Sequence, residues 1–184
     1  MRDGFIRVAA LTPAVRVADV EFNVESSAAA VLASDARVIV LPELAITSYT
    51  CEDLFWQDAL LRAAEEGLAT LAVKTAEADA LVLVGVPVRV ASKLYNCAAV
   101  LSRGELLGLV PKRNIPTYGE FYEGRRFSAG PEDVTLVNFA GFDEVPFGAE
   151  QLFECEDVPG LVVAAEICED LWVPNPPSTA AAVA

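Results

Sequence analysis

Residues 80–90, ALVLVGVPVRV, constrain this chain more than any other stretch. They are apolar almost throughout and rich in β-branched side chains, which predicts a strand covered on both faces. A strand of that kind needs a layer on either side of its sheet, so the fold class is α/β. Neighbouring segments agree. FIRVAAL (5–11) and ARVIVLPEL (36–44) read as further buried strands, and VADVEFNVESSAAAVLAS between them has apolar positions at helical spacing. Residues 51–78 carry two helical stretches with Gly67 as a break. LYNCAAVLSRGELLGLVPK reads as two strands around a turn at Arg103 and Gly104, followed by a long polar and aromatic loop, RNIPTYGEFYEGRRFSAG. DVTLVNF and LFECEDV read as short strands, and GLVVAAEICEDLW as an apolar strand running into Cys168. Ser178 is placed to cap an Ala-rich helix that stops in mid-pattern, which reads as a chain cut from a longer one.

The 184 residues suit one domain. With 27 acidic against 13 basic side chains, the net charge of −14 opposes binding to phosphate backbones and anionic lipid, so neither nucleic acid nor membrane is an expected partner. The opening MRDGFIRVAALTP has too short an apolar run for a secretory signal, and no stretch reaches membrane-spanning length, which predicts a cytoplasmic protein. Cys51, Cys97, Cys155 and Cys168 are scattered, form no C-x-x-C pair and are expected to be free thiols. The chain has no histidine. That removes Ser-His-Asp triads, Cys-His dyads and most catalytic metal sites, so no metal is expected and a nucleophilic cysteine would need a different base.

Three places set a reactive side chain just beyond a buried apolar strand: Glu43 in VIVLPEL, Lys112 in LVPKRN and Cys168 in LVVAAEICED. Open α/β sheets carry their chemistry at the carboxyl ends of strands, where such residues can converge. Each also has an ordinary reading. A free cysteine after a strand is more often a small core residue, and a lysine after proline is usually a solvated tip. Together they form a set for acyl transfer. Cys168 would attack a carbonyl carbon, Glu43 would take its proton and later protonate a leaving amine, and Lys112 with the backbone N–H after Cys168 would face the developing oxyanion.

The segments PELAITSYTCEDLF, PKRNIPTYGEFYEGRRFSAG and AEICEDLWVPNPPS resemble the nitrilase, or carbon-nitrogen hydrolase, superfamily, and within it the glutaminase domain of glutamine-dependent NAD+ synthetases. The resemblance implies a nitrilase-like α-β-β-α sandwich, incomplete at the C-terminus. It implies Glu43 as base, Lys112 as oxyanion and thiolate stabiliser, Cys168 as nucleophile, and Glu120 as a second glutamate orienting the lysine. Tyr49, Tyr118 and Phe121 match positions near the glutamine pocket, and the backbone of Glu169 matches the oxyanion donor. Residues 1–184 would be a partial carbon-nitrogen hydrolase domain without its synthetase domain. No cofactor is then expected in this domain, and ATP and Mg2+ belong only with the missing one. Glutamine, the synthetase domain and further copies of the full-length chain are the implied partners. A free-standing amidase or carbamoylase, or a non-catalytic fragment serving as an association surface, are the competing readings. Strand edges left uncovered predict poor solubility.

Overall fold

A computed structural model describes residues 4–184. Seven strands form one mixed sheet in the order β1-β2-β3-β4-β5-β7-β6. They are β1 (Val8–Ala10), β2 (Val38–Val40), β3 (Leu81–Val90), β4 (Lys93–Ser102), β5 (Glu105–Pro111), β6 (Thr135–Phe139) and β7 (Phe142–Phe147). Strands β1, β2 and β3 run parallel, while β4 is antiparallel to both β3 and β5. Strands β2, β3 and β5 therefore point the same way, and their carboxyl ends share one edge of the sheet. Glu43 follows β2 and Lys112 follows β5, so strand direction alone brings both to that edge.

The apolar run at 80–90 is covered on both sides. Val82, Val84, Val86 and Val88 face helices α1 (Val20–Leu32) and α2 (Asp58–Lys74), together with Cys97, Ala99 and Leu101 of β4. On the opposite face, Val38, Leu83, Val100 and Val110 pack with Phe153 and Val163, which belong to a two-stranded sheet of β8 (Phe153–Glu154) and β9 (Val162–Val163). The layers are helix, large sheet and small sheet, a mixed α/β arrangement of the nitrilase-like kind. Three of the four layers of the expected sandwich are present among the described residues.

Gly67 is not a break. Helix α2 passes through it uninterrupted, because a Cβ there would lie 2.5 Å from Val20 Cγ1 and 3.1 Å from Val24 Cγ2 on α1. The glycine lets two helices cross closely, and tertiary packing overrides its poor helix propensity. The interruption lies upstream, where an irregular 3₁₀ segment, Tyr49–Trp56, ends at Gln57 before α2 begins. The turn expected at Arg103 and Gly104 joins β4 to β5, with φ of +51° and +85°. Strand β7 went unread because its sequence, FDEVPF, mixes two acids and a proline into the apolar pattern. The final helix, α3 (Pro177–Ala181), starts one residue before Ser178, with Pro176 at its N-cap and Pro177 in its first turn. The Ser178 N–H donates instead to Glu166 Oε2 at 3.0 Å. No helix among the described residues is long and apolar enough to cross a membrane.

Replacing Gly67 by alanine is expected to lower stability by about 1 kcal/mol, since overpacking of about 1–3 kcal/mol exceeds the helix-propensity gain of about 1 kcal/mol. Urea unfolding of the two chains measures it, and a more stable alanine variant would show that the helices can part without loss.

Candidate active site

The turn carrying Glu43 is folded tightly against β3. The Leu41 N–H donates to Leu83 O at 2.8 Å, and the Ile46 N–H to Gly85 O at 3.2 Å. A Cβ on Gly85 would fall 2.0 Å from Leu44 N and 2.6 Å from the Glu43 carbonyl carbon, so a glycine is required where the backbone crosses the strand. Leu44 takes a left-handed φ of +52°, uncommon for a residue with a side chain. This bend aims the Glu43 carboxylate at the sheet edge instead of letting the strand continue.

Lys112 is fully buried, its backbone held on β4 by a 2.8 Å bond from its N–H to Asn96 O. Its ammonium lies 2.9 Å from Glu43 Oε1 and 2.8 and 2.9 Å from Glu123 Oε1 and Oε2. A buried ammonium needs such partners, because an uncompensated charge away from water costs several kcal/mol. Burial pushes the Lys112 proton affinity down, but hydrogen bonds to Glu123 and Glu43 and their negative charges outweigh it and hold the group above the ordinary lysine range. The ammonium therefore stays charged.

Glu123, not Glu120, is the second carboxylate. The sequence motif YGEFYE contains both, and the short 3₁₀ turn Glu123–Arg125 brings the later one inward. Glu123 is buried whereas Glu120 is exposed in the loop. Tyr49 donates its hydroxyl to Glu123 Oε1 at 2.8 Å. Burial, this bond and the surrounding negative charge raise the phenol well above its usual value, so it remains a donor. Asn96 was also missed. It lies on β4 on the same face as Ala98 and Val100, toward the small sheet, and its Nδ2 donates to Glu43 Oε1 at 2.6 Å. A buried Asn in an apolar strand is the signal that could have revealed it. Both bonds to Glu43 fall on Oε1, and Oε2 has no hydrogen-bond partner among the described residues.

Cys168 arrives from the small-sheet side, five residues after β9, at the start of a 3₁₀ turn, Cys168–Trp172. It is exposed and adopts a left-handed φ of +49°. Its thiol is raised above the ordinary value by partial burial first and then by the charge of Glu43. Lys112 opposes this, Glu123 reinforces it, and the backbone N–H of Glu169 opposes it again. The sulfur thus sits within the field of all three charged groups. Of the other cysteines, Cys51 donates to Thr47 O within the core and Cys97 is fully buried. The remaining site residues gather beside Cys168. Tyr118 donates to Glu169 Oε2 at 2.7 Å and packs edge-on against Phe121 with ring centroids 5.8 Å apart. A cavity of about 410 Å³ lies nearby, lined by Arg113, Gln151, Glu166 and Ser178, but it includes none of Glu43, Lys112 and Cys168.

Fold and site together define a mixed α/β protein with a thiol, a carboxylate and a buried ammonium at one sheet edge. The chain belongs to the carbon-nitrogen hydrolase family, whose model matches residues 7–182. It is 42% identical over 184 aligned residues to the glutamine-dependent NAD(+) synthetase of Mycobacterium tuberculosis, covering 98% of this chain and 27% of that protein. The enzyme of the same name from Aquifex aeolicus is 32% identical over 86% of this chain and 25% of its own length. A crystal structure of a glutamine-dependent NAD(+) synthetase from Cytophaga hutchinsonii superposes with a TM-score of 0.81 at 31% identity, covering 89% of this chain and 28% of that one. An amidase from Nesterenkonia sp., at 20% identity and a TM-score of 0.59, shares the fold. The chain thus spans about a quarter of the length of the synthetases it matches.

Alkylation of Cys168 reads its surroundings directly, because the thiolate is the reacting form. Removing the Glu43 charge in Glu43→Gln eliminates an influence that raises the thiol, so the pH midpoint of alkylation should fall. Lys112→Met should move it the other way and cost about 3–5 kcal/mol of stability, since two carboxylates are left without their cation. Peptide-resolved mass spectrometry of iodoacetamide labelling gives both midpoints. Unchanged midpoints would place Cys168 outside the field of both groups.

Proposed function

We propose that this chain hydrolyses the side-chain amide of glutamine through a Cys168 thioester and supplies the ammonia to a synthetase portion of a longer enzyme. What supports the chemistry is the division of labour at Glu43: Oε1 is held by Lys112 and Asn96, and Oε2 has no partner among the described residues. What supports the substrate is the similarity to the synthetases, whose name states glutamine dependence.

A thiol raised above its ordinary value is neutral at pH 7 and a poor nucleophile by itself. As Cys168 Sγ attacks the amide carbon, its proton passes to Glu43. The carbonyl oxygen becomes an oxyanion facing the Lys112 ammonium and the Glu169 N–H. Lys112 retains a donor for it, because one N–H can serve both oxygens of Glu123 in a bifurcated bond. Glu43 returns the proton to the nitrogen, the C–N bond breaks, and ammonia leaves a glutamyl thioester. Water then attacks with Glu43 again as base, releasing glutamate and regenerating the thiol. Glu123 and Tyr49 act through Lys112, holding its ammonium in place. Tyr118, Phe121 and Glu169 would form the wall of the glutamine pocket.

In this reading the ammonia amidates deamido-NAD at an ATP- and Mg2+-dependent site outside these residues, in a cytoplasmic homo-oligomer. The test supplies glutamine to the protein in a form as long as the synthetases and measures ammonia and glutamate. Cys168→Ala should lower release by at least about a thousandfold. Equal release from that variant would remove the thioester mechanism, and activity on other small amides in preference to glutamine would favour a free-standing amidase.

A further inference from the structure

Asp170 is 2% exposed, and no lysine or arginine forms an ion pair with it among the described residues. Its charge is met by four N–H donors instead. The Arg113 N–H lies 3.1 and 3.3 Å from its two oxygens. The Asn114 N–H and Nδ2 donate to Oδ1 at 2.7 and 2.9 Å, and the Ile167 N–H to Oδ2 at 3.2 Å. Arg113 and Asn114 directly follow Lys112, and Ile167 directly precedes Cys168. One carboxylate therefore joins the loop leaving β5 to the loop leaving β9. A second bond, from the Asp170 N–H to Ile167 O at 3.1 Å, closes the other side of the turn whose next residue is the left-handed Cys168.

The connection matters because the two sheets share no strand pairing: β8 and β9 pair only with each other. Apolar packing between layers attracts without fixing direction. Hydrogen bonds to a buried carboxylate are directional, and several of them together can fix the position of one loop on another. We propose that Asp170 is a positioning residue, whose carboxylate sets the Cys168 sulfur against the Glu43 carboxylate and the Lys112 ammonium without touching the reacting atoms. This rests on the Cys-Glu-Lys reading above, and it adds the element that holds the three in register across the two layers.

The charged and titratable groups around the sulfur are Glu43 after β2, Lys112 after β5, Glu123 and Tyr118 in the long loop, Tyr49 in the first 3₁₀ segment and neighbouring Glu169. The experiment is a double-mutant cycle on the alkylation midpoint of Cys168, using Glu43→Gln as the probe and Asp170→Asn as the second change. The carboxamide keeps the shape of the side chain but turns a donor toward N–H groups. Glu43→Gln should displace the midpoint in the parent chain and by less than about half as much in the Asp170→Asn background. A residue that only stabilises the fold would lower the unfolding midpoint and leave the displacement whole, and that result overturns the proposal. Should Asp170→Asn fail to unfold cooperatively, Asn114→Ala, which deletes one donor, decides by the same criterion: a smaller displacement supports the assignment and an undiminished one defeats it. The cycle needs no glutamine, so its outcome is independent of whether ammonia is released.

Discussion

A lysine ammonium with no access to water has to be neutralised by the protein, and Lys112 is neutralised by two carboxylates from separate segments of the chain. Glu43 approaches from the end of β2, and Glu123 from a turn in the loop beyond β5. Partial burial first, and then the carboxylate of Glu43, raise the nearby thiol while Lys112 opposes them, which makes a proton acceptor more useful there than a thiolate at rest. The same cluster thus holds the sheet edge together and acts on the sulfur.

The bends that present these groups are conformationally costly. Leu44 and Cys168 both hold left-handed backbone without being glycine, and Gly85 gives up its side chain so that the Glu43 turn can lie on β3. Strain of this sort persists where surrounding contacts over-determine the backbone, and at these positions it lies beside Glu43 and at Cys168 itself. Exposed ion pairs add a looser tie. Arg125 reaches Asp53 at 3.1 Å and Arg126 pairs with Glu52, which links the turn bearing Glu123 to the segment bearing Tyr49. Such surface pairs contribute little stability individually, and their role is to limit where the loop can go.

Much of this was legible from the residues. The apolar run at 80–90 demanded layers on both faces, and β3 has them. Strand ends located Glu43 and Lys112 at one edge, because direction in a sheet follows from connectivity. What failed were choices between near neighbours. Glu120 and Glu123 are three apart in one loop, and only the three-dimensional path of that loop decides which faces inward. Gly67 looks like a helix breaker in one dimension and is a contact point between helices in three. Asn96 and Asp170 were passed over because a polar residue inside or beside an apolar run carries no label for what it will bond.

Strand β4 has a further consequence. It lies between β3 and β5, and one of its residues, Asn96, holds Glu43 with its side chain and Lys112 with its carbonyl. A register irregularity between Val100 and Leu101 separates this half of the β4–β5 ladder from the hairpin turn. Length changes at the turn end can therefore be absorbed there. A single inserted or deleted residue between the irregularity and Asn96 would rotate the asparagine to the helix-covered face and turn a neighbour from that face into its place. The first half of β4 is in this sense a ruler with fixed graduations, and the second half is spare tape.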